Sequence, residues 1–239
     1  MRVTTKAIVL SSLKYGDTSL IVKAFTASDG LKTYLLRGIL GSKKGKLKVA
    51  YFQPLMQLEV VAVHRNKGSL ERLQEVKVAY AYQTLHTNIA KNAITLFLSE
   101  MLTHSIYEEE KNEGLYSFLE ASFQWLDTNE HIANFHLYFL LELTKYFGFY
   151  PDTSTAKTEC FDLLDGQFID GPSLNPILSG TNLEFFIALL GINFDSMHTI
   201  RMGKSDRQEL LQKLVLFFEL HLHGFKKPRS LAILNEVFS

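Results

Sequence analysis

Cysteine is almost missing from the chain, and that is the first constraint on what it can be. Cys160 is the single one among 239 residues, which excludes an intrachain disulfide and a four-cysteine zinc site. Long apolar runs are missing too. No stretch approaches the roughly 20 apolar residues that span a bilayer, and the most apolar helix expected, around residues 135–147, is interrupted by Glu142 and Lys145. The opening MRVTTKAIVL has no long apolar core followed by a small-residue cleavage site, so no signal peptide is expected. Familiar catalytic signatures are also lacking: there is no G-x-S-x-G, no H-E-x-x-H and no G-x-G-x-x-G. The expectation is a soluble protein of a reducing, cytoplasmic compartment, with no membrane association and no recognisable active site.

Net charge is absent only on average. The 25 Lys and Arg balance the 25 Asp and Glu, but they are sorted along the chain. Residues 1–80 carry 14 basic against 5 acidic side chains, residues 81–200 carry 4 against 16, and residues 201–239 carry 7 against 4. Charge segregated in blocks this long suggests that a polyanion meets the N-terminal block while the middle stays away from it.

What is present begins with β-structure. Short β-branched runs fall at residues 18–25 (TSLIVKAF), 32–37 (KTYLLR) and 55–63 (LMQLEVVAV). Asp29-Gly30, between the first two, marks a tight hairpin, because glycine accepts the positive φ the turn needs. The stretch HRNKGS at 64–69 is a second turn. With TTKAIVLSS at the start and LERLQEVK at 70–77, about five short strands follow one another without a helix. That pattern fits a small closed barrel, and the oligonucleotide-binding (OB) fold is the commonest five-stranded barrel with basic loops.

After Tyr80 the apolar period changes from two to about 3.6. One stripe (Leu85, Ile89, Ala93, Leu96, Phe97, Met101) predicts a helix from 82 to about 104, and a second runs from Leu115 to Leu126. Residues 135–147 are apolar nearly all round, as in a helix buried between others. Two capping-box patterns, Thr181 to Glu184 and Ser205 to Gln208, open further helices; the second stops near Gly224. Residues 151–180 hold turn formers and few periodic positions. The expected fold class is therefore α+β and multidomain. It has an OB-type barrel over 1–80, a helical domain begun over 81–150 and completed over 181–239, and a small irregular insert over 151–180.

The most cationic stretch is RGILGSKKGKLKVAYF, residues 37–52. It is not a phosphate-binding P-loop: one residue too few separates Gly41 from Gly45, and Leu47 stands where the magnesium-binding hydroxyl belongs. It also joins two strands instead of opening a helix. Metal and nucleophile readings are weaker. His221 and His223 are two apart on an expected helix and so face different ways, Cys160 has no activating histidine nearby, and Glu108, Glu109 and Glu110 read as a solvated run at a helix end. Basic residues that track a backbone, next to rings on which bases stack, are what single-strand binding requires. The expected nucleic-acid-binding residues are Arg37, Lys43, Lys44, Lys46 and Lys48, with Tyr34 and Tyr51 as stacking rings, while Phe52 is assigned to the core. Five cations on phosphates would give a salt slope of about −3.5 on single strands and roughly a hundredfold loss between 50 and 200 mM salt.

The run TTKAIVLSSLKYGDTSLIVKAFTASDGLKTYLLRGILGSKK closely resembles the start of the RecO family of bacterial DNA-repair and recombination mediators. The likeness lies in Tyr15-Gly16-Asp17-Thr18-Ser19, in Phe25-Thr26 with Gly30, and in the glycine- and lysine-rich stretch from Gly38 to Lys44. NAITLFLSEMLTHSIYEEE, ELTKYFGFYPD and FKKPRSLAILNEVF resemble later parts of the family in the same order. The resemblance implies a nucleoid-associated protein without catalytic turnover or cofactor that binds single- and double-stranded DNA and anneals complementary strands. It implies partnership with RecR and with the C-terminal tail of the single-strand DNA-binding protein, and through them aid to RecA. Many family members carry a four-cysteine zinc module where this chain holds only Cys160. Residues 151–180 therefore read as a degenerate zinc-finger-like insert without metal, in which residues 162–168 keep a small hairpin held by packing alone. The tail of the single-strand binder is acidic and apolar, so its contact is assigned to the cations Arg201, Lys204, Arg207, Lys226, Lys227 and Arg229. An RNA-binding OB module and a non-catalytic protein scaffold are the alternatives.

Overall fold

The structure, a computed structural model, describes residues 1–41, 47–65, 70–153 and 159–238. The chain forms two compact units, Met1–Thr128 and Asn129–Ser239. The first contains β1 (Arg2–Tyr15), β2 (Ser19–Thr26), β3 (Gly30–Leu36), β4 (Gln57–Val63), β5 (Arg72–Tyr80), α1 (Ile89–Ser105) and α2 (Glu113–Thr128). The five strands pair antiparallel in the order β3-β2-β1-β4-β5. The sheet then closes on itself. The Glu71 N–H donates to the Thr33 carbonyl at 2.7 Å and the Leu35 N–H to the Glu71 carbonyl at 3.2 Å, a parallel bridge that joins β3 to the start of β5. Closure removes the two open edges and makes this an OB-type barrel.

Alternate side chains fill the barrel: Ala7 and Val9, Leu20, Val22 and Ala24, Tyr34 and Leu36, then Leu58, Val60 and Ala62. Phe52, carried by a 3-10 turn at Val49–Phe52, is buried with them, as expected from the sequence. Each valine, leucine or phenylalanine among them contributes about 1.5–3 kcal/mol of burial energy. Gly30 is the one position where the hairpin admits no side chain. Its φ is +63°, and a Cβ there would lie 2.3 Å from the Glu110 carbonyl oxygen. The stretch after α1 is in fact docked on this hairpin: the Leu31 N–H donates to the Glu108 carbonyl at 3.0 Å, and the buried Lys32 pairs with Glu109 at 3.0 Å. The three consecutive glutamates are thus more than a solvated run.

Helix α1 begins at Ile89, not at residue 82 as the apolar stripe suggested. The reason is Asp127 near the end of α2. Its carboxylate accepts from the N–H groups of Gln83, Thr84 and Leu85 at 2.8–3.1 Å, which holds that segment in a turn. The Asn88 side chain then caps α1 by accepting from the Lys91 N–H. Burial pushes the Asp127 carboxyl up, but these hydrogen bonds outweigh it and hold it below the usual carboxylate range.

The second unit holds α3 (Phe135–Phe147), β6 (Cys160–Asp162), β7 (Gln167–Ile169), β8 (Ile177–Ser179), α4 (Gly180–Leu190), α5 (Lys204–His221) and α6 (Leu231–Val237). Helix α3 coincides with the apolar stretch read from the sequence and ends at Gly148, whose φ of +78° is a left-handed cap. The two capping boxes do not cap. Helix α4 starts after Ser179 and α5 after Gly203, so Thr181 and Ser205 lie inside the first turns. Helix α5 ends at His221, three residues before Gly224.

Within the insert, residues 160–179 form a three-stranded sheet in the order β7-β6-β8. Phe161 of β6 packs against Phe168, Phe186 and Phe217 at ring distances of 4.9, 4.8 and 5.7 Å. Packing is not all that holds it, which corrects the sequence expectation. The buried Asp162 carboxylate accepts from the N–H groups of Leu164 and Asp165, the Ser173 hydroxyl and the Asn175 amide at 2.8–3.0 Å. Among the described residues, no helix is long and apolar enough to cross a membrane.

Candidate nucleic-acid interface

The expected binding stretch leaves β3 at Arg37, which is exposed, and turns at Gly38 with φ +70°. Ile39 is buried in the barrel core, and the Leu40 N–H donates to the Thr18 carbonyl at 2.9 Å, which pins the chain to the β1–β2 turn. Lys43, Lys44 and Lys46 lie outside the described residues. The described residues continue at Leu47. Lys48 is exposed, and its carbonyl accepts from the Tyr51 N–H at 3.0 Å. Tyr51 itself is half-buried against the core.

Arg37 and Leu47 share a surface cleft of about 580 Å³ with Leu35, Arg65, Glu71 and Arg72. Three exposed arginines therefore border one concavity. Sequence reasoning found Arg37 and missed Arg65 and Arg72. The signal available was the turn expected at 64–69, of which 66–69 lie outside the described residues; its flanks become neighbours of β3 only when the barrel closes. Glu71 anchors this edge from inside. Its buried carboxylate accepts from the Arg65 N–H with both oxygens at 2.9 Å, while its backbone makes the bridge to β3.

Tyr34 is not at the surface, and its assignment as a stacking ring is corrected. It is 1% exposed, because β3 alternates and Tyr34 falls on the inward face with Leu36. Its hydroxyl meets His64 Nε2 at 2.8 Å, and His64 Nδ1 meets Asp29 Oδ2 at 2.9 Å. A carboxylate only accepts, so His64 Nδ1 carries the proton it donates to Asp29, and the ring links that carboxylate to the Tyr34 hydroxyl. Burial, aided by the charges of Asp29 and Glu71, pushes the Tyr34 hydroxyl pKa well up, so the ring remains a phenol.

In the second unit the six expected partner cations do not form one patch. Arg207 is half-buried; its Nε donates to Asn134 Oδ1 at 3.1 Å and its guanidinium to the Met202 carbonyl at 2.9 Å. It ties the start of α5 to the residue before α3, a structural duty that the sequence did not reveal. Arg201 and Arg207 line a groove of about 350 Å³ together with Glu130, His131, Met197, His198 and Ile200. Lys204 is exposed at the start of α5, and Lys226, Lys227 and Arg229 are exposed between α5 and α6. None of these last four borders the Arg201 groove. Among the described residues no three His, Cys, Asp or Glu side chains gather as metal ligands would.

A closed five-stranded barrel with an arginine-bordered cleft, followed by helices and a small sheet, defines an OB-fold protein with a helical C-terminal part. The family profile described as recombination protein O N terminal matches residues 1–82, and that described as recombination protein O C terminal matches residues 86–231. The DNA repair protein RecO of Christiangramia forsetii is 50% identical over 238 residues, and that of Flavobacterium psychrophilum 49% over 240, each with 100% of both chains covered. The RecO protein of Phocaeicola vulgatus is 34% identical over 238 residues, with 98% of each chain covered. The chain belongs to the recombination protein O (RecO) family of DNA repair proteins.

Proposed function

We propose that the chain is a non-catalytic recombination mediator that grips DNA on its barrel and brings strands together for annealing. The observation that carries this reading is the cleft bordered by Arg37, Arg65 and Arg72, at the edge of the lysine-rich stretch, in the block with a surplus of nine positive charges. Phosphates are met there by guanidinium groups that bind them bidentately. Nothing in the sequence resembles a base-reading helix, so little sequence preference is expected. In this reading the chain acts with RecR and helps RecA load onto DNA coated by single-strand DNA-binding protein.

The test is anisotropy binding to a labelled single strand across a salt series, with Lys43, Lys44 and Lys46 changed together to alanine in the variant. Loss of three contacts should make the slope shallower by about two. Changing Arg65 and Arg72 together to alanine should remove about 1.4 more. Weak, salt-insensitive binding untouched by either variant refutes the reading and leaves the scaffold alternative; tighter binding to RNA of the same sequence favours the RNA-binding one. For the acidic, apolar tail of the single-strand binder, the Arg201 groove offers apolar walls beside a cation. Arg201→Glu should abolish binding of a peptide of that composition and leave DNA affinity unchanged.

A further inference from the structure

The outer face of β1, β2 and β3 carries apolar side chains that the barrel core does not use. Leu13 and Tyr15 are 65% and 56% exposed. They stand two apart on β1 and so point to the same side of the sheet. The register extends this side across the strands. Leu13 lies opposite Ile21 and Ile21 opposite Leu35; in the next row Ser11 lies opposite Lys23 and Lys23 opposite Thr33; Tyr15 lies opposite Ser19 at the tip. An apolar row thus crosses three strands and runs into the arginine cleft, because Leu35 and Arg37 both line it. Lys23 stands on one side of the row and Arg37 on the other. The tip that holds Tyr15 is braced by the Leu40-to-Thr18 hydrogen bond at 2.9 Å.

Two large apolar side chains held out side by side at a braced tip are poorly matched to water and well matched to a flat, apolar ligand. A duplex hides the faces of its bases, whereas a single strand offers them along with its phosphates. We propose that this face is a stacking platform for the unpaired bases of single-stranded DNA. Tyr15 supplies the ring, Leu13, Ile21 and Leu35 the floor, and Lys23 and Arg37 the phosphate contacts at its borders. The occupant follows from charge complementarity, since cations flank the apolar row and continue into the cleft. The platform rests on the DNA-binding reading above and adds to it what separates single strands from duplex. It also moves the stacking role from Tyr34, which is buried, to Tyr15.

The experiment uses the full chain and three labelled probes: a thymidine oligomer, an abasic strand of equal length, and a blunt duplex. Wild type is expected to prefer the thymidine strand to the abasic one. Tyr15→Ala should weaken thymidine binding about tenfold and leave the abasic and duplex affinities and the salt slope as they were. Tyr15→Phe keeps the ring and should match wild type, and Leu13→Ser should fall between. An unchanged melting temperature, expected for so exposed a residue, shows that the variants fold. Thymidine binding unaffected by Tyr15→Ala overturns the platform, as does equal loss on all three probes. If wild type binds all three with a steep slope and no preference for bases, the cationic grip stands and the platform falls. If it binds none of them, the DNA-binding reading fails first.

Discussion

Asp127 lets the energetics of the first unit be tested at a single side chain. It is 2% exposed and accepts from three consecutive backbone N–H groups, Gln83, Thr84 and Leu85, and from the Thr84 hydroxyl. The Lys91 ammonium closes the cluster by donating to the Asp127 carbonyl at 2.6 Å and to Thr84 Oγ1 at 2.7 Å. Asp127→Asn keeps the shape, but one acceptor becomes a donor facing other donors. Hydrogen bonds to an ionised group contribute about 1.5–3 kcal/mol each and are not additive, so the variant should lose about 3 kcal/mol. With a urea dependence of about 2 kcal/mol per molar, the midpoint should fall by about 1.5 M. The chain has a single tryptophan, Trp125, two residues away in α2, so its fluorescence reports this unit. The pH dependence has a definite sign. Because the folded carboxyl is held below its ordinary value, its stabilisation is fully present above pH about 3.9. It is lost as pH falls through the folded pKa, so the gap between wild type and variant should close in acid. A variant within about 0.5 kcal/mol of wild type at pH 7, with the same acid profile, would refute the clasp.

Three further outcomes are expected. Tyr34→Phe leaves His64 Nε2 without its hydrogen-bond partner and should cost about 1–2 kcal/mol in urea unfolding, with DNA affinity unchanged because the ring lies inside the barrel. Burial pushes the His136 imidazole down to about 3, so its NMR signals should not titrate between pH 8 and 5. Since the unfolded ring binds a proton near pH 6.5, His136 should lower the stability of the second unit progressively as pH falls from about 6.5 towards 3, and His136→Leu should remove that component. Asp162→Ala strips the acceptor from Leu164, Asp165, Ser173 and Asn175, and hydrogen exchange over residues 160–169 should speed up while α3 keeps its protection.

The barrel was legible because its strands are local, β-branched and punctuated by turn formers such as Asp29-Gly30. Helix α3 was legible because its apolar run is long. What escaped depends on partners distant in sequence. The apolar stripe before Ile89 is helical in period, but Asp127, some 40 positions on, holds those residues in a turn. Both capping boxes satisfy the pattern, yet the chain enters α4 and α5 earlier, from Ser179 and Gly203. Arg65 and Arg72 join Arg37 only through the bridge at Glu71. Choosing among Tyr15, Tyr34 and Tyr51 required knowing which face of each element is inward, and composition is silent on that.

The bridge between Tyr34 and Glu71 also orders the folding of the barrel. The β1–β2, β2–β3 and β4–β5 pairings are hairpins between neighbouring strands, and short loops close at little entropic cost. The seam rests on two backbone hydrogen bonds between residues more than thirty positions apart. The β1–β4 ladder has seven residue pairs and the seam only two bonds, so the seam is expected to hold only once that ladder has formed. The arginine cleft lies across that seam. A nascent or partly unfolded chain therefore presents its cations scattered on separate hairpins, and the assembled grip exists only once the cylinder is complete.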